Sequence, residues 1–349
     1  MELSRRGLLG LAAGAGLVLA GCSTGSPTTG TPSGSAAASG AAASGTAPKV
    51  TIGLTYIPNI QFVPFYWADA KGLYAASGVQ ATLRHHGASE ALFTALAAGQ
   101  EHFVVAGADE MLQARSQGMD LVAIAQYYRQ YPVVGIVKDA SSIKTAADLK
   151  GKKIGVPGKY GESWFALLVL LKSAGLTEAD VTVSEIGYTQ QAALSTDKVD
   201  AIMGFSNNDV VTFRAAGIGV RTLPLTTGTL PLVSVSLITT RKFLDASPDV
   251  AKKVADACTA GFVAVAKDPS AAVTLATDYV TTLKTDAAAR TGAATTLAAT
   301  VPLWKDGTGA VNPTLDAAQF AAMATFMREQ GLITASIDPA LAMSNTYHS

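Results

Sequence analysis

The chain has 349 residues, with 26 Lys plus Arg balanced by 26 Asp plus Glu, for a formal charge of zero. That balance offers a polyanion no field to bind, which argues against nucleic acid as a partner. Two cysteines exclude a multi-Cys metal centre, and about 300 residues beyond a low-complexity start is a length that divides into two domains.

Arg5 and Arg6 open a basic start, Gly7 to Ala20 is a short apolar run, and Leu19-Ala20-Gly21-Cys22 closes it. The run is shorter than the roughly 20 apolar residues a membrane span needs. A charged start, a short apolar core and small residues before a cut describe an export signal over residues 1–21. The Leu-Ala-Gly-Cys ending resembles the bacterial lipobox, which implies acylation of Cys22 and anchoring on the outer face of the cell membrane. Ser4-Arg5-Arg6-Gly7-Leu8-Leu9 also resembles a twin-arginine signal; ordinary secretory export is the alternative. Residues 22–48 hold Cys22 followed by Ser, Thr, Gly, Ala and Pro, a tether reaching roughly 25–30 Å as a random coil. With Cys22 acylated, Cys258 has no disulfide partner and reads as a small buried hydrophobe in a helix.

The body alternates short apolar strands with helical patterns, an α/β arrangement. Val50–Leu54 reads as a first strand, and Pro64 opens a helix. Gln80–Arg84 is a second strand. Ser89 caps a helix with Leu92, Phe93 and Leu96 on one face, and Gly99 ends it. Phe103–Ala106, a helix over Glu110–Gln117 and the strand Leu121–Ala125 follow. Thr145 and Asp148 form a cap-like pair before the strand Lys153–Pro157. Glu162–Ala174 is an apolar helix, too short to span a bilayer. Val181–Ile186, Ala201–Phe205 and Leu232–Ile238 supply strands, a short helix falls over Asp209–Ala216, and from Pro248 the chain is helical. The expected division is lobe one over 49–138 and 239–349 and lobe two over 139–238. The two crossings form a hinge, and a ligand cleft lies between the lobes.

In open α/β sheets ligands bind beyond the carboxyl ends of the strands. That rule selects Tyr56, Asn59 and Gln61 after the first strand, His85 and His86 after the second, and Asp109 and Glu110 after the third. It then selects Tyr127, Tyr128 and Arg129 after the fourth. In lobe two it selects Tyr160, Gly161, Glu162, Ser163, Tyr188, Gln190, Asn207 and Asn208. Tyrosine rings suit a flat ligand, and amides and carboxylates suit ring nitrogens and exocyclic amines. Tyr56 has a core reading, Asn59 a turn-shaping one and Asp109 a helix-cap one. Glu110 is favoured as the ligand contact. His85 and His86 are adjacent on a strand and point to opposite faces, which argues against a shared metal. Gly158–Ser163 opens a helix and could hold an anion through free amides, but Glu162 would repel one. The set used for binding is Tyr56, Asn59, Gln61, His86, Glu110, Tyr127, Tyr160, Glu162, Ser163, Tyr188 and Asn207.

Three stretches carry a family resemblance: Tyr56-Ile57-Pro58-Asn59-Ile60-Gln61, Asp148-Leu149-Lys150-Gly151-Lys152 and Val199-Asp200-Ala201. Together they resemble the SsuA/THI5-like (NMT1-like) solute-binding proteins of ABC importers. The Tyr-Ile-Pro-Asn stretch, with Leu83–Gly87 and Asp109–Arg115, is similar to the branch handling riboflavin and thiamine-precursor pyrimidines. The resemblance implies a type II periplasmic-binding-protein-like fold, two α/β lobes joined by a two-strand hinge. It also implies capture of a vitamin-type N-heterocycle, delivery to a permease and ATPase, and no catalysis, cofactor or metal. Yeast pyrimidine-synthase members carry a Cys-rich iron motif that Cys258 alone does not supply. The alternatives are a binder of alkanesulfonate or nitrate, and an exported enzyme acting on a pyrimidine-like substrate.

Overall fold

The computed structural model describes residues 46–87 and 90–349. The export signal, Cys22, most of the tether and the capping role of Ser89 lie outside the described residues. Among the described residues ten strands form: β1 (Lys49–Leu54), β2 (Gln80–His85), β3 (Phe103–Gly107), β4 (Leu121–Gln126), β5 (Val133–Lys138), β6 (Lys153–Val156), β7 (Thr182–Glu185), β8 (Ala201–Phe205), β9 (Val220–Leu223) and β10 (Val235–Thr240).

They make two five-stranded sheets, ordered β2-β1-β3-β10-β4 and β7-β6-β8-β5-β9. The sheets repeat one plan. In each, three parallel strands are followed by one antiparallel strand and then an edge strand. The antiparallel member is the first strand made after the chain has crossed from the other sheet, β5 outward and β10 on return. The crossings therefore fall within residues 127–132 and 224–234, not near Lys138 and Thr239. Val133–Lys138 belongs to the second sheet, paired with β8 and β9. Its apolar run from Val133 to Val137 suits a central strand covered on both faces.

The expected strand Leu232–Ile238 starts three residues late. Val233 and Ser234 spend their carbonyls on the N–H groups of Asp109 (3.1 Å) and Ala108 (3.3 Å), at the start of the helix Ala108–Ser116. They cap a helix instead of extending a ladder. The helix expected after residue 89 is only Thr94–Ala97. The Thr145–Asp148 pair is present, with the Asp148 carboxylate accepting from Thr145 N at 2.8 Å.

One apolar cluster runs through both sheets. It takes Val104 and Ala106 of β3, Val133 and Val137 of β5, Ile154 and Val156 of β6, and Phe165 to Leu171 of the helix Gly161–Ser173. Phe320, Met323 and Met327 of the helix Ala317–Glu329 close it. Cys258 is fully buried in a second cluster under the first sheet. Burial pushes its thiol up to about 12, as befits an inert core residue.

Candidate functional site

The strand order reverses beside β1 in the first sheet and beside β6 in the second, and the site is built from loops at those carboxyl ends. β3 runs straight into the helix Ala108–Ser116. The Glu110 carboxylate turns back to accept from Gly107 N at 3.2 Å. Asp109 is buried; its Oδ1 accepts from Glu110 N at 2.7 Å and its Oδ2 from the Tyr131 hydroxyl at 2.6 Å. It therefore acts inside the first turn, while Gly107 holds the cap position expected for Asp109. From the second sheet, the helix Gly161–Ser173 brings Glu162, whose Oε1 accepts from the Ser234 hydroxyl.

These three carboxylates converge. A Cβ added to Gly107 would stand 2.4 Å from Asp109 Oδ1, 3.1 Å from Glu110 Oε2 and 3.2 Å from Glu162 Oε1. One added to Gly161 would stand 3.0 Å from Glu110 Oε1. Gly161 also has φ +67, so glycine is required there for both conformation and space. Among the described residues no Lys, Arg or His bonds any of the three. Burial, then the charge of Glu162, lifts Glu110 to about 8. Burial lifts Glu162 to about 7, against the pull of the Ser234 hydroxyl. Burial and both glutamates hold Asp109 well above the carboxylate range. Near neutral pH the cluster keeps protons, so its acids donate as well as accept hydrogen bonds.

Tyrosines form a rim. Tyr56 and Tyr188 lie with ring centroids 6.3 Å apart, tilted by 51°. Tyr188 and Tyr160 are 59% and 56% exposed, unusual for side chains of that size. The Tyr188 hydroxyl is raised to about 12, first by burial, then by Tyr160, Tyr56 and Glu110, and Tyr160 directly precedes Gly161, which faces Glu110 Oε1. The Tyr56 carbonyl accepts from His85 Nδ1 at 2.9 Å. That fixes the proton on Nδ1 and leaves Nε2 to accept from the Tyr66 hydroxyl at 2.8 Å.

A third group lies deeper, around the buried Tyr128. Burial raises its hydroxyl, opposed by Trp304, Asn207 and Gln61, and Glu162 is close enough to add to the rise. Asn207 and Trp304 are fully buried. A cavity of about 380 Å³ adjoins this region, lined by Gln126, Leu230 and Gln319 and sharing Tyr128, Tyr131 and Ser234 with the groups above.

Several sequence candidates are engaged elsewhere. Tyr127 is in the core, stacked on Phe262 at 4.2 Å. His86 is buried with Nε2 at 2.9 Å from Glu101, which also takes Arg84 at 2.7 Å. Asn59 shapes its turn: its carbonyl oxygen accepts from Gln61 N at 2.8 Å and its amide donates to the Ile57 carbonyl. Ser163 is buried in the first turn of its helix. The structure brings Tyr56, Glu110, Tyr160, Glu162 and Tyr188 together, and Gln61 with Asn207 at Tyr128. Tyr131, Ser234 and Trp304 were not selected from the sequence. Tyr131 alone carried a signal, the run Tyr127-Tyr128-Arg129-Gln130-Tyr131 beside a strand end.

A family model described as NMT1/THI5 like matches residues 59–272. The chain belongs to the NMT1/THI5-like family. The riboflavin-binding protein RibY of Chloroflexus aurantiacus is 30% identical over 307 residues, 86% of each chain. A putative thiamine biosynthesis protein of Haemophilus influenzae is 28% identical over 164 residues, 46% of this chain and 51% of its own. Among solved structures, the alkanesulfonate-binding protein SsuA of Xanthomonas axonopodis pv. citri, bound to MOPS, aligns with a TM-score of 0.66 at 20% identity. The alignment covers 86% of this chain and 98% of SsuA. The family's fold is thus the type II periplasmic-binding-protein fold, with two α/β sheets and their helices. No helix among the described residues is long and apolar enough to cross a membrane.

Proposed function

We propose that this chain is the extracytoplasmic solute-binding component of an ABC importer and captures a neutral, flat N-heterocycle, with riboflavin as the first ligand to test. One observation carries this reading: the tyrosine rim of Tyr56, Tyr160 and Tyr188 adjoins, through Tyr160-Gly161-Glu162, the acids Glu110 and Glu162, which retain protons near neutral pH. Rings stack on a planar ligand, and carboxylic acids meet its ring nitrogens and N–H groups. The similarity to RibY supports riboflavin ahead of a thiamine-precursor pyrimidine. The lobes, 49–126 with 235–349 and 133–223, would close on the ligand through contacts made from both sides, and the closed form would dock on the permease. Cys22, acylated, would tether the body through residues 23–48.

The sulfonate or nitrate reading meets a specific obstacle. The N–H groups at the start of the helix Ala108–Ser116 are already taken by Ser234 O, Val233 O and Asp109 Oδ1, which leaves an anion the start of the helix Gly161–Ser173, where Glu110 and Glu162 stand. Among the described residues no bonded cation stands at this cluster to offset an anion's charge. The test is titration calorimetry with riboflavin, thiamine, a formylaminopyrimidine, taurine and nitrate. Saturable heat with riboflavin or the pyrimidine and none with the anions is expected. Heat with taurine or nitrate alone would overturn the proposal.

A further inference from the structure

Two polar atoms in the seam are buried without a well-formed hydrogen bond: Trp304 Nε1 and Asn207 Oδ1. Burying such atoms unpaired is costly, and proteins retain the arrangement where the atoms have work to do. Both residues are fully enclosed, and both approach the Tyr128 hydroxyl closely enough to bias its ionisation.

The two atoms are also held firmly and have opposite polarity. The Thr300 hydroxyl donates to the Thr296 carbonyl at 2.7 Å, so toward Asn207 it can only accept. Asn207 Nδ2 meets it at 2.9 Å, which fixes the amide's orientation and leaves Oδ1 as an acceptor aimed elsewhere. The Trp304 indole is clamped edge-on between Phe262, at 4.8 Å and 76°, and Tyr128, at 6.4 Å and 68°. Its N–H can only donate. Asn207 follows β8 of the second sheet, whereas Trp304 packs in the apolar cluster under the first. One ligand edge touching both would bridge the sheets.

We infer that Trp304 Nε1 and Asn207 Oδ1 are the donor and the acceptor that read the ligand's polar edge, and that this edge carries a carbonyl oxygen beside an N–H group. The Tyr128 hydroxyl stands near both residues, but leaves Trp304 Nε1 and Asn207 Oδ1 without a well-aligned bond. A rigid ring bearing adjacent acceptor and donor atoms meets both at once. The inference rests on the proposed function and deepens it. It makes Trp304 and Asn207 specificity-determining, in a role distinct from the tyrosine rim.

The test is quenching of riboflavin fluorescence by the full chain, by Trp304→Phe and by Asn207→Ala, repeated with N3-methylriboflavin, which lacks the imide N–H. Each variant is expected to bind riboflavin about tenfold more weakly or worse. The unaltered protein is expected to discriminate against the methylated ligand by a similar factor, and Asn207→Ala to lose that discrimination. Trp304→Phe keeps the ring packing, and the methylated ligand needs no variant, so misfolding of Asn207→Ala leaves two arms intact. Tight riboflavin binding by the unaltered protein, with Trp304→Phe and the N3-methyl ligand both unchanged, would overturn this inference and leave the proposed function standing. Failure of the unaltered protein to bind any of the heterocycles would overturn both.

Discussion

Replacing Glu110 with glutamine separates charge from shape in the carboxylate seam. The amide of Glu110→Gln can still accept from Gly107 N, so the local bond at 3.2 Å survives while the ionisable group is lost. In the folded protein Glu110 titrates at about 8 against an ordinary 4.5. A raised carboxyl favours the folded state while the proton is present in both forms. That advantage disappears as pH climbs from the unfolded value to the folded one. At about 1.4 kcal/mol per pH unit, Glu110 alone would withdraw roughly 5 kcal/mol of stability across that interval. Glu162, lifted to about 7 by burial, adds a loss of its own over the same range, and that loss remains when Glu110 is glutamine. Urea unfolding at pH 5 and pH 8.5 reads the difference. The unaltered protein is expected to lose roughly 6 kcal/mol between the two, and Glu110→Gln about 2–3 kcal/mol, with near-equal stabilities at pH 5. Parallel pH profiles, or stability rising toward pH 8.5 in the unaltered protein, would refute the reasoning.

Gly107→Ala should destabilise by about 2–4 kcal/mol, because its Cβ would stand 2.4 Å from Asp109 Oδ1 with two further carboxylates close by; thermal unfolding at pH 5 checks it. Glu101→Ala leaves buried His86 without its partner and Arg84 with Glu90 alone, and a loss of about 3–5 kcal/mol in urea melts is expected. His86 and Arg84 hold the Glu101 carboxyl below its ordinary range despite burial, so this contribution stands above the usual carboxylate titration and fades as pH falls through the folded value. Tyr188→Ala should weaken ligand binding by about tenfold in calorimetry through lost stacking, with little change in unfolding temperature, since the ring is largely exposed. Cys22→Ala should move the protein from the membrane to the soluble fraction on cell fractionation.

The parallel core of each sheet was legible because β-branched runs such as Val50–Leu54 and Phe103–Ala106 are bounded by turn residues and lead into helices. β5 was not placed, because a central strand buried on both faces shows no alternation and follows its neighbour β4 after only a short link. The rule that ligands meet strand carboxyl ends picks out Glu110, Glu162 and Tyr188 as neighbours at one end of the sheets, since position along a strand suffices for that. It could not separate His85 from His86, because adjacent residues face opposite ways and the phase depends on where the strand stops, nor Tyr127 from Tyr128, which pack in one apolar cluster. Trp304 was out of reach for a different reason. It sits in an Ala-rich helical region, and only tertiary packing against Phe262 and Tyr128 carries it to the seam.

The position of β10 bears on the order of assembly. It lies between β3 and β4, so the first sheet stays split into two pieces until the ribosome has made residues 235–240. The second sheet uses one unbroken stretch, from Val133 to Leu223, and has every strand in hand by then. Synthesis therefore delivers a self-sufficient second half before the first can be joined, and the first must await contacts of long sequence separation. Until then β3 and β4 each offer an open edge, which makes the interval before residue 240 emerges the time of greatest exposure to mispairing.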